Sequence, residues 1–184
     1  MSTSFSSHPS PNADRSANGA SGAQLGGADA DATPDHDKVI ALLAHALDPE
    51  QLRAAQALAA RKLLREDGTV YPADGCAITL SVLMQGAGFD VPDLFWALDV
   101  PAMLLARGWA EVTPGSQRAG DIGSTCRAER HHGEDHVYLV LRAVNEDEMI
   151  VVDNQAASPH FRWASGQGGK TPTTMFYRAP DPTA

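Results

Sequence analysis

The chain has no excess of basic residues: 14 lysines and arginines face 23 aspartates and glutamates, for a formal net charge of −9. Nucleic-acid binding normally needs a basic stripe, and docking on anionic lipid a basic patch, so this balance argues against both. Cysteine is scarce. Two in 184 residues supply no disulfide framework and leave room for a free thiol with chemistry of its own. No apolar run approaches the roughly 20 residues a membrane span requires. The N-terminus shows neither the basic start nor the apolar stretch of a secretory signal. The default expectation is therefore a cytoplasmic protein. A protein exported by a system that ignores signal peptides would begin the same way.

Residues 1–33 have little apolar surface; they are rich in Ser, Ala, Gly and Asp. Too little burial is available there to offset the entropy of ordering, so this stretch is predicted to be a disordered, low-complexity tail. Residues 34–180 suit one ordinary domain, and 43% apolar residues overall is enough for a core.

Order is expected from Thr33-Pro34-Asp35, with Thr33 as N-cap and Pro34 in the first helical position. Val39, Ile40, Leu42, Leu43, Ala46 and Leu47 follow at helical spacing. Asp48-Pro49-Glu50-Gln51 repeats the start signal, and Leu52, Ala55, Ala59 and Leu63 lie on one face of a second helix that ends before Gly68. A third helix is predicted over about 75–85, closed by Gly86 and Gly88. Residues 93–98 and 101–107 read as two short helical pieces separated by Pro101, with Leu94-Phe95-Trp96 and Met103-Leu104-Leu105 expected in the core. From Trp109 the pattern changes to short strands, at 109–112, 121–122, 137–144, 149–153, 161–163 and 174–177. Helices first and an antiparallel sheet afterwards is an α+β order.

Cys76 is the residue on which a functional reading turns. It stands where the turn Tyr71-Pro72-Ala73-Asp74-Gly75 runs into an apolar helix. Free N–H groups and the positive dipole end at a helix start favour thiolate over thiol. His136 lies just before the apolar strand 137–141, and Asp153 and Asn154 close the run 149–153. A thiol, an imidazole and a polar orienter in these contexts suit nucleophilic catalysis. Strand alternation puts Asp153 and Asn154 on opposite faces, so only one of them can face His136. Cys126, His132 and His136 offer a chemically possible zinc site instead, in a spacing that fits no closed pattern. His131 and His132 are expected to be exposed, and His8, His36, His45 and His160 have no site context. The stretch Ala164-Ser165-Gly166-Gln167-Gly168-Gly169-Lys170-Thr171 imitates a phosphate-binding loop with Ala in place of its first Gly, but Pro172 follows where a helix would have to start. A Gly-rich loop bordering the cleft is the better reading.

The chain also resembles the NlpC/P60 and CHAP branch of the papain-like cysteine peptidases. The Cys76-Ala77-Ile78-Thr79-Leu80-Ser81 helix start, Gly108-Trp109, Gly120-Asp121-Ile122, the His136-Val137 strand and Ile150-Val151-Val152-Asp153-Asn154 occur in that family's order. The resemblance covers about residues 68–155. It implies a papain-like fold with N-terminal helices, a Cys-bearing helix and a C-terminal antiparallel sheet. It further implies acyl transfer without a cofactor or metal, with Cys76 as nucleophile, His136 as base and, by analogy with papain, Asn154 as orienter, Asp153 being the alternative. The oxyanion would be held by the Cys76 N–H and by Tyr71. Peptides, often cell-wall stem peptides, are the substrates the resemblance implies. A wall-amidase toxin delivered without a signal peptide, other acyl chemistry on the same triad, and a non-catalytic papain-fold module that binds a peptide or protein are the alternatives.

Overall fold

The computed structural model describes residues 34–131 and 133–181. The predicted tail at 1–33, Thr33 as a cap and His132 as a metal ligand fall outside them. The architecture is α+β: four helices followed by a six-stranded antiparallel sheet.

Helix α1 (Asp35–Leu47) carries Asp35 and Asp37 in its first turn, where the N-terminal dipole favours negative charge. Asp48 then starts α2 (Pro49–Asp67): its carboxylate accepts the Glu50 N–H at 2.8 Å and the Gln51 N–H at 3.2 Å. Pro49 takes a position whose N–H has no partner within a helix. Gly68 ends α2 in the left-handed region at φ +80°, a conformation that costs a glycine little. Helix α3 (Cys76–Gly86) is buried at every residue from Cys76 to Met84. It has no polar face because α1 and α2 pack on it from one side and the sheet from the other.

One helical expectation fails. Residues 93–98 form no helix; α4 (Asp99–Ala106) runs straight through Pro101. Pro101 is the third residue of α4, still within the first turn, where its missing N–H breaks no internal bond. Without a helix the 94–96 stretch is only partly core: Leu94 and Phe95 pack against it and Trp96 is 42% exposed.

The strands are β1 (Ala110–Val112), β2 (Ile122–Ser124), β3 (Val137–Ala143), β4 (Glu148–Val152), β5 (His160–Trp163) and β6 (Met175–Arg178). Their order across the sheet is β1-β6-β2-β3-β4-β5, with every neighbour antiparallel. Alternation divides β3 and β4 between two apolar layers. Val137, Leu139, Leu141 and Val152 pack with the helices, whereas Tyr138, Val140, Met149 and Val151 pack with Phe176 and Ala164 on the other side. Two landmarks of the resemblance act as latches for this frame. Asp35 accepts from Trp109 Nε1 at 2.8 Å and pairs with Arg107 at 2.6 Å; Asp121 holds the Arg178 guanidinium through bonds of 2.8 and 2.7 Å.

Candidate active site

The turn before α3 is built around Tyr71. The Tyr71–Pro72 peptide bond is cis, Asp74 takes φ 49°, and the Gly75 N–H bonds back to the Pro72 carbonyl at 3.2 Å. A Cβ on Gly75 would stand 2.8 Å from two carbons of the Tyr71 ring. Glycine at the N-cap thus lets the ring lie against the helix start. Cys76 follows as the first residue of α3.

Cys76 is 7% exposed and belongs to the core layer that also holds Val137. The backbone N–H groups of Ala77 and Val137 act on its sulfur and favour the thiolate, the first from the helix start and the second from the first residue of β3, just after His136. Burial outweighs them and pushes the thiol up to about 11. The expected thiolate-favouring balance is therefore reversed: desolvation of the charged form exceeds what a helix N-terminus returns. Cys76 nonetheless lines a cleft of about 290 Å³.

His136 is held at the backbone by Thr125. The Thr125 hydroxyl accepts the His136 N–H at 2.8 Å and donates to the Glu134 carbonyl at 2.7 Å, while the Thr125 N–H donates to the His136 carbonyl at 2.9 Å. The imidazole Nε2 lies 2.8 Å from Asp153 Oδ2. Nδ1 makes no hydrogen bond among the described residues. Burial lowers the His136 pKa; the Asp153 carboxylate opposes this, and the charges of Arg162 and Lys170 reinforce it. Burial works to raise the Asp153 carboxyl. The His136 bond, the charges of His136 and His160 and the Gln155 N–H, which donates to Oδ1 at 2.7 Å, together hold it below the ordinary carboxylate range.

Asn154 does not meet His136. Its Nδ2 donates to the Pro72 carbonyl at 2.5 Å, and its Oδ1 is buried without a partner among the described residues. Of the two candidates it is therefore Asp153, the alternative, and not Asn154 that meets the imidazole, and alternation supplies the reason. His136 keeps step with Tyr138 and Val140, and Asp153 with Met149 and Val151, which all lie in one layer. Asn154 keeps step with Val152, on the helix side, where the Pro72 turn is.

Tyr71 stands at the same centre. Its hydroxyl accepts from Thr79 Oγ1 at 3.3 Å, which leaves the phenolic proton for another acceptor. Burial raises its pKa, with smaller contributions from Asp153 and Cys76, so it stays a donor.

Sequence reasoning overlooked three residues. His160, set aside as a loop residue, opens β5 and places Nε2 3.5 Å from Asp153 Oδ2. Gln56, on the inner face of α2, donates to the backbone carbonyls of Asp153 at 3.0 Å and Ala156 at 2.7 Å. Arg162 is buried over the Tyr138 ring at 4.6 Å. A buried Gln in an otherwise apolar helix stripe was the one available signal. The Gly-rich loop does not line the Cys76 cleft; its Lys170 bonds Gln155 Oε1 at 2.9 Å, and its charge weighs on His136. As for the zinc alternative, no three His, Cys, Asp or Glu side chains among the described residues form a group that could hold a metal ion. No helix among them is long and apolar enough to cross a membrane.

No family profile, curated protein or solved structure matches this chain.

Proposed function

We propose that the protein is a cysteine amidohydrolase or peptidase of the papain-like kind, in the NlpC/P60 or CHAP branch, with Cys76, His136 and Asp153 as its triad. The observation that carries this reading is the 2.8 Å bond from His136 Nε2 to Asp153 at the strand end where the Val137 N–H reaches the Cys76 sulfur. An orienting carboxylate on one imidazole nitrogen leaves the other free to take a proton.

The thiol is neutral at rest, so His136 removes its proton as the sulfur attacks an amide carbonyl. A C–S bond forms, and the oxyanion is met by the Cys76 N–H and the Tyr71 hydroxyl. His136 then gives the proton to the leaving amine as the C–N bond breaks. Water, deprotonated by the same imidazole, hydrolyses the thioester and restores the thiol. Asp153 stabilises the imidazolium during both transfers. Stem peptides of peptidoglycan are the first substrates to test.

A second reading has its own observation. A thiol that is 7% exposed and raised to about 11 also suits a packing residue in a papain-fold binding module. Incubating purified peptidoglycan and its stem peptides with the native chain and with Cys76→Ala separates the two. Release of new amine termini by the native chain alone supports the hydrolase. No release by either, with peptide binding retained in Cys76→Ala, overturns it.

A further inference from the structure

We propose that Arg162 is a positioning residue for the reaction: its buried guanidinium, which no carboxylate answers, keeps His136 in the neutral form that takes the Cys76 proton. This inference rests on the hydrolase reading and adds to its triad a residue that acts only through the imidazole.

Arg162 lies on β5 and is 3% exposed. Strand register sets it opposite Met149, which belongs to the layer of Tyr138 on the face of the sheet away from the helices. There its guanidinium stands 4.6 Å from the centre of the Tyr138 ring. The same ring is 6.0 Å from the His136 imidazole and inclined to it by only 27°. One aromatic ring thus neighbours both the cation and the base.

A buried guanidinium ordinarily has a carboxylate beside it. Even the less buried Arg107 and Arg178 lie 2.6 and 2.7 Å from an aspartate oxygen. Arg162 forms no ion pair among the described residues. One nitrogen, Nη2, donates to the Thr171 carbonyl at 3.0 Å, and Nε is buried without a partner. Burial raises the pKa of the neighbouring Tyr138 phenol, so that group supplies no compensating charge either. Tying the Gly-rich loop to β5 does not call for a cation, because the Thr173 N–H already bonds the Ala164 carbonyl at 2.8 Å. An unanswered charge buried beside a titrating group is the pattern of a functional site.

His136 stands between opposing charges. Asp153, at the end of β4, favours its imidazolium; Arg162 on β5 and Lys170 in the loop that follows oppose it. His160, also on β5, lies 3.5 Å from Asp153 Oδ2, and Cys76 on α3 is a neutral thiol raised to about 11. Lys170 is exposed, so solvent and salt screen its charge, whereas the buried Arg162 is screened much less. Without Arg162 the Asp153 carboxylate would hold a proton on His136 up to a higher pH. An imidazolium cannot take the proton of a neutral thiol, so the attack would stall. The same guanidinium later helps the imidazolium pass its proton to the leaving amine, because two cations close together in a buried site repel.

The test uses the full chain with Arg162→Gln and Arg162→Met, which remove the charge, and Arg162→Lys, which keeps it. Glutamine also retains a donor for the Thr171 carbonyl. The C2–H resonance of His136, assigned by its absence from His136→Gln, is followed by NMR against pH without substrate. In parallel, kcat/KM on a cleaved stem peptide is measured over the same range. Removing the charge should raise both the His136 midpoint and the acid limb of kcat/KM by about half to one pH unit. On that limb kcat/KM then falls about three- to tenfold, while its plateau at higher pH stays within about twofold. Arg162→Lys should leave both where they are in the native chain. A midpoint unmoved in Arg162→Gln and Arg162→Met, or moved equally in Arg162→Lys, overturns the proposal and makes Arg162 a packing residue. Failure of the native chain to cleave any stem peptide overturns the hydrolase reading instead, and the NMR midpoint still decides whether Arg162 sets the state of His136.

Discussion

His136 Nε2 and Asp153 Oδ2 are 2.8 Å apart although 17 positions separate the two residues, and Asn154, one position further on, is turned away to Pro72. The contact is set by strand parity, and it decides which of the two residues meets the imidazole.

The two neighbours should therefore respond differently to substitution. Asp153→Asn should lower kcat/KM on a cleaved peptide by about 10²–10⁴-fold while the protein stays folded, because it disturbs the tautomer and removes the charge facing the imidazolium. Asn154→Ala should leave kcat/KM within about tenfold and cost about 1 kcal/mol in urea unfolding, through the lost bond to Pro72. The reverse ranking would return the role to Asn154.

Cys76 should alkylate slowly at neutral pH. With iodoacetamide, its rate should keep climbing past the ordinary thiol range near 8.5, toward the value of about 11 that burial imposes. His136→Ala should leave that midpoint little changed, since desolvation sets it. A midpoint below 8.5 would instead show a resting thiolate–imidazolium pair.

Acid should destabilise the fold in two stages. The folded His136 pKa lies below its ordinary value of about 6.5, so the unfolded chain binds the extra proton first. That contribution is complete above about pH 6.5 and is lost as pH falls through the lowered folded value. Asp153 is lowered as well, so its contribution is present above about pH 4 and disappears below it. The Tm should fall from about pH 6.5 downward, and His136→Gln should flatten the upper part of that slope. A Tm independent of pH from 7 to 5 would contradict this assignment.

Gln56→Ala should cost about 1–3 kcal/mol, because it leaves the buried Asp153 carbonyl and the half-buried Ala156 carbonyl without their donor. It should also lower turnover, since α2 would no longer hold the end of β4. A loss of stability with unchanged turnover would make Gln56 a packing residue alone.

Gly75→Ala should displace the Tyr71 ring, which the new methyl would meet at 2.8 Å. If Tyr71 stabilises the oxyanion, Gly75→Ala and Tyr71→Phe should both reduce kcat with little change in KM. An effect confined to KM would place Tyr71 in substrate binding.

Much of the scaffold was legible in the sequence because its signals are local. Asp48-Pro49 and Gly68 mark both ends of α2, and each of the six strands overlaps a stretch that the sequence pattern marks as one. The 93–98 stretch misled because Leu94-Phe95-Trp96 has helical spacing without a helix start, and Pro101 looked like a break although it sits in the first turn of α4. His160 was passed over because nothing in its own neighbourhood shows that β5 lies beside β4.

The sequence alone determined that a thiol opens a buried helix, that an imidazole precedes a strand, and that Asp153 and Asn154 point opposite ways, since helix and strand periodicities require only neighbouring residues. Tertiary structure decided the rest. The pairing of β3 with β4, which sets Leu139 against Val152, determined that Asp153 shares a layer with His136. Packing of α3 between two helices and the sheet raised a thiol that its helix start alone would have lowered. Both outcomes depend on which distant surfaces come together, and desolvation and strand register are properties of that assembly.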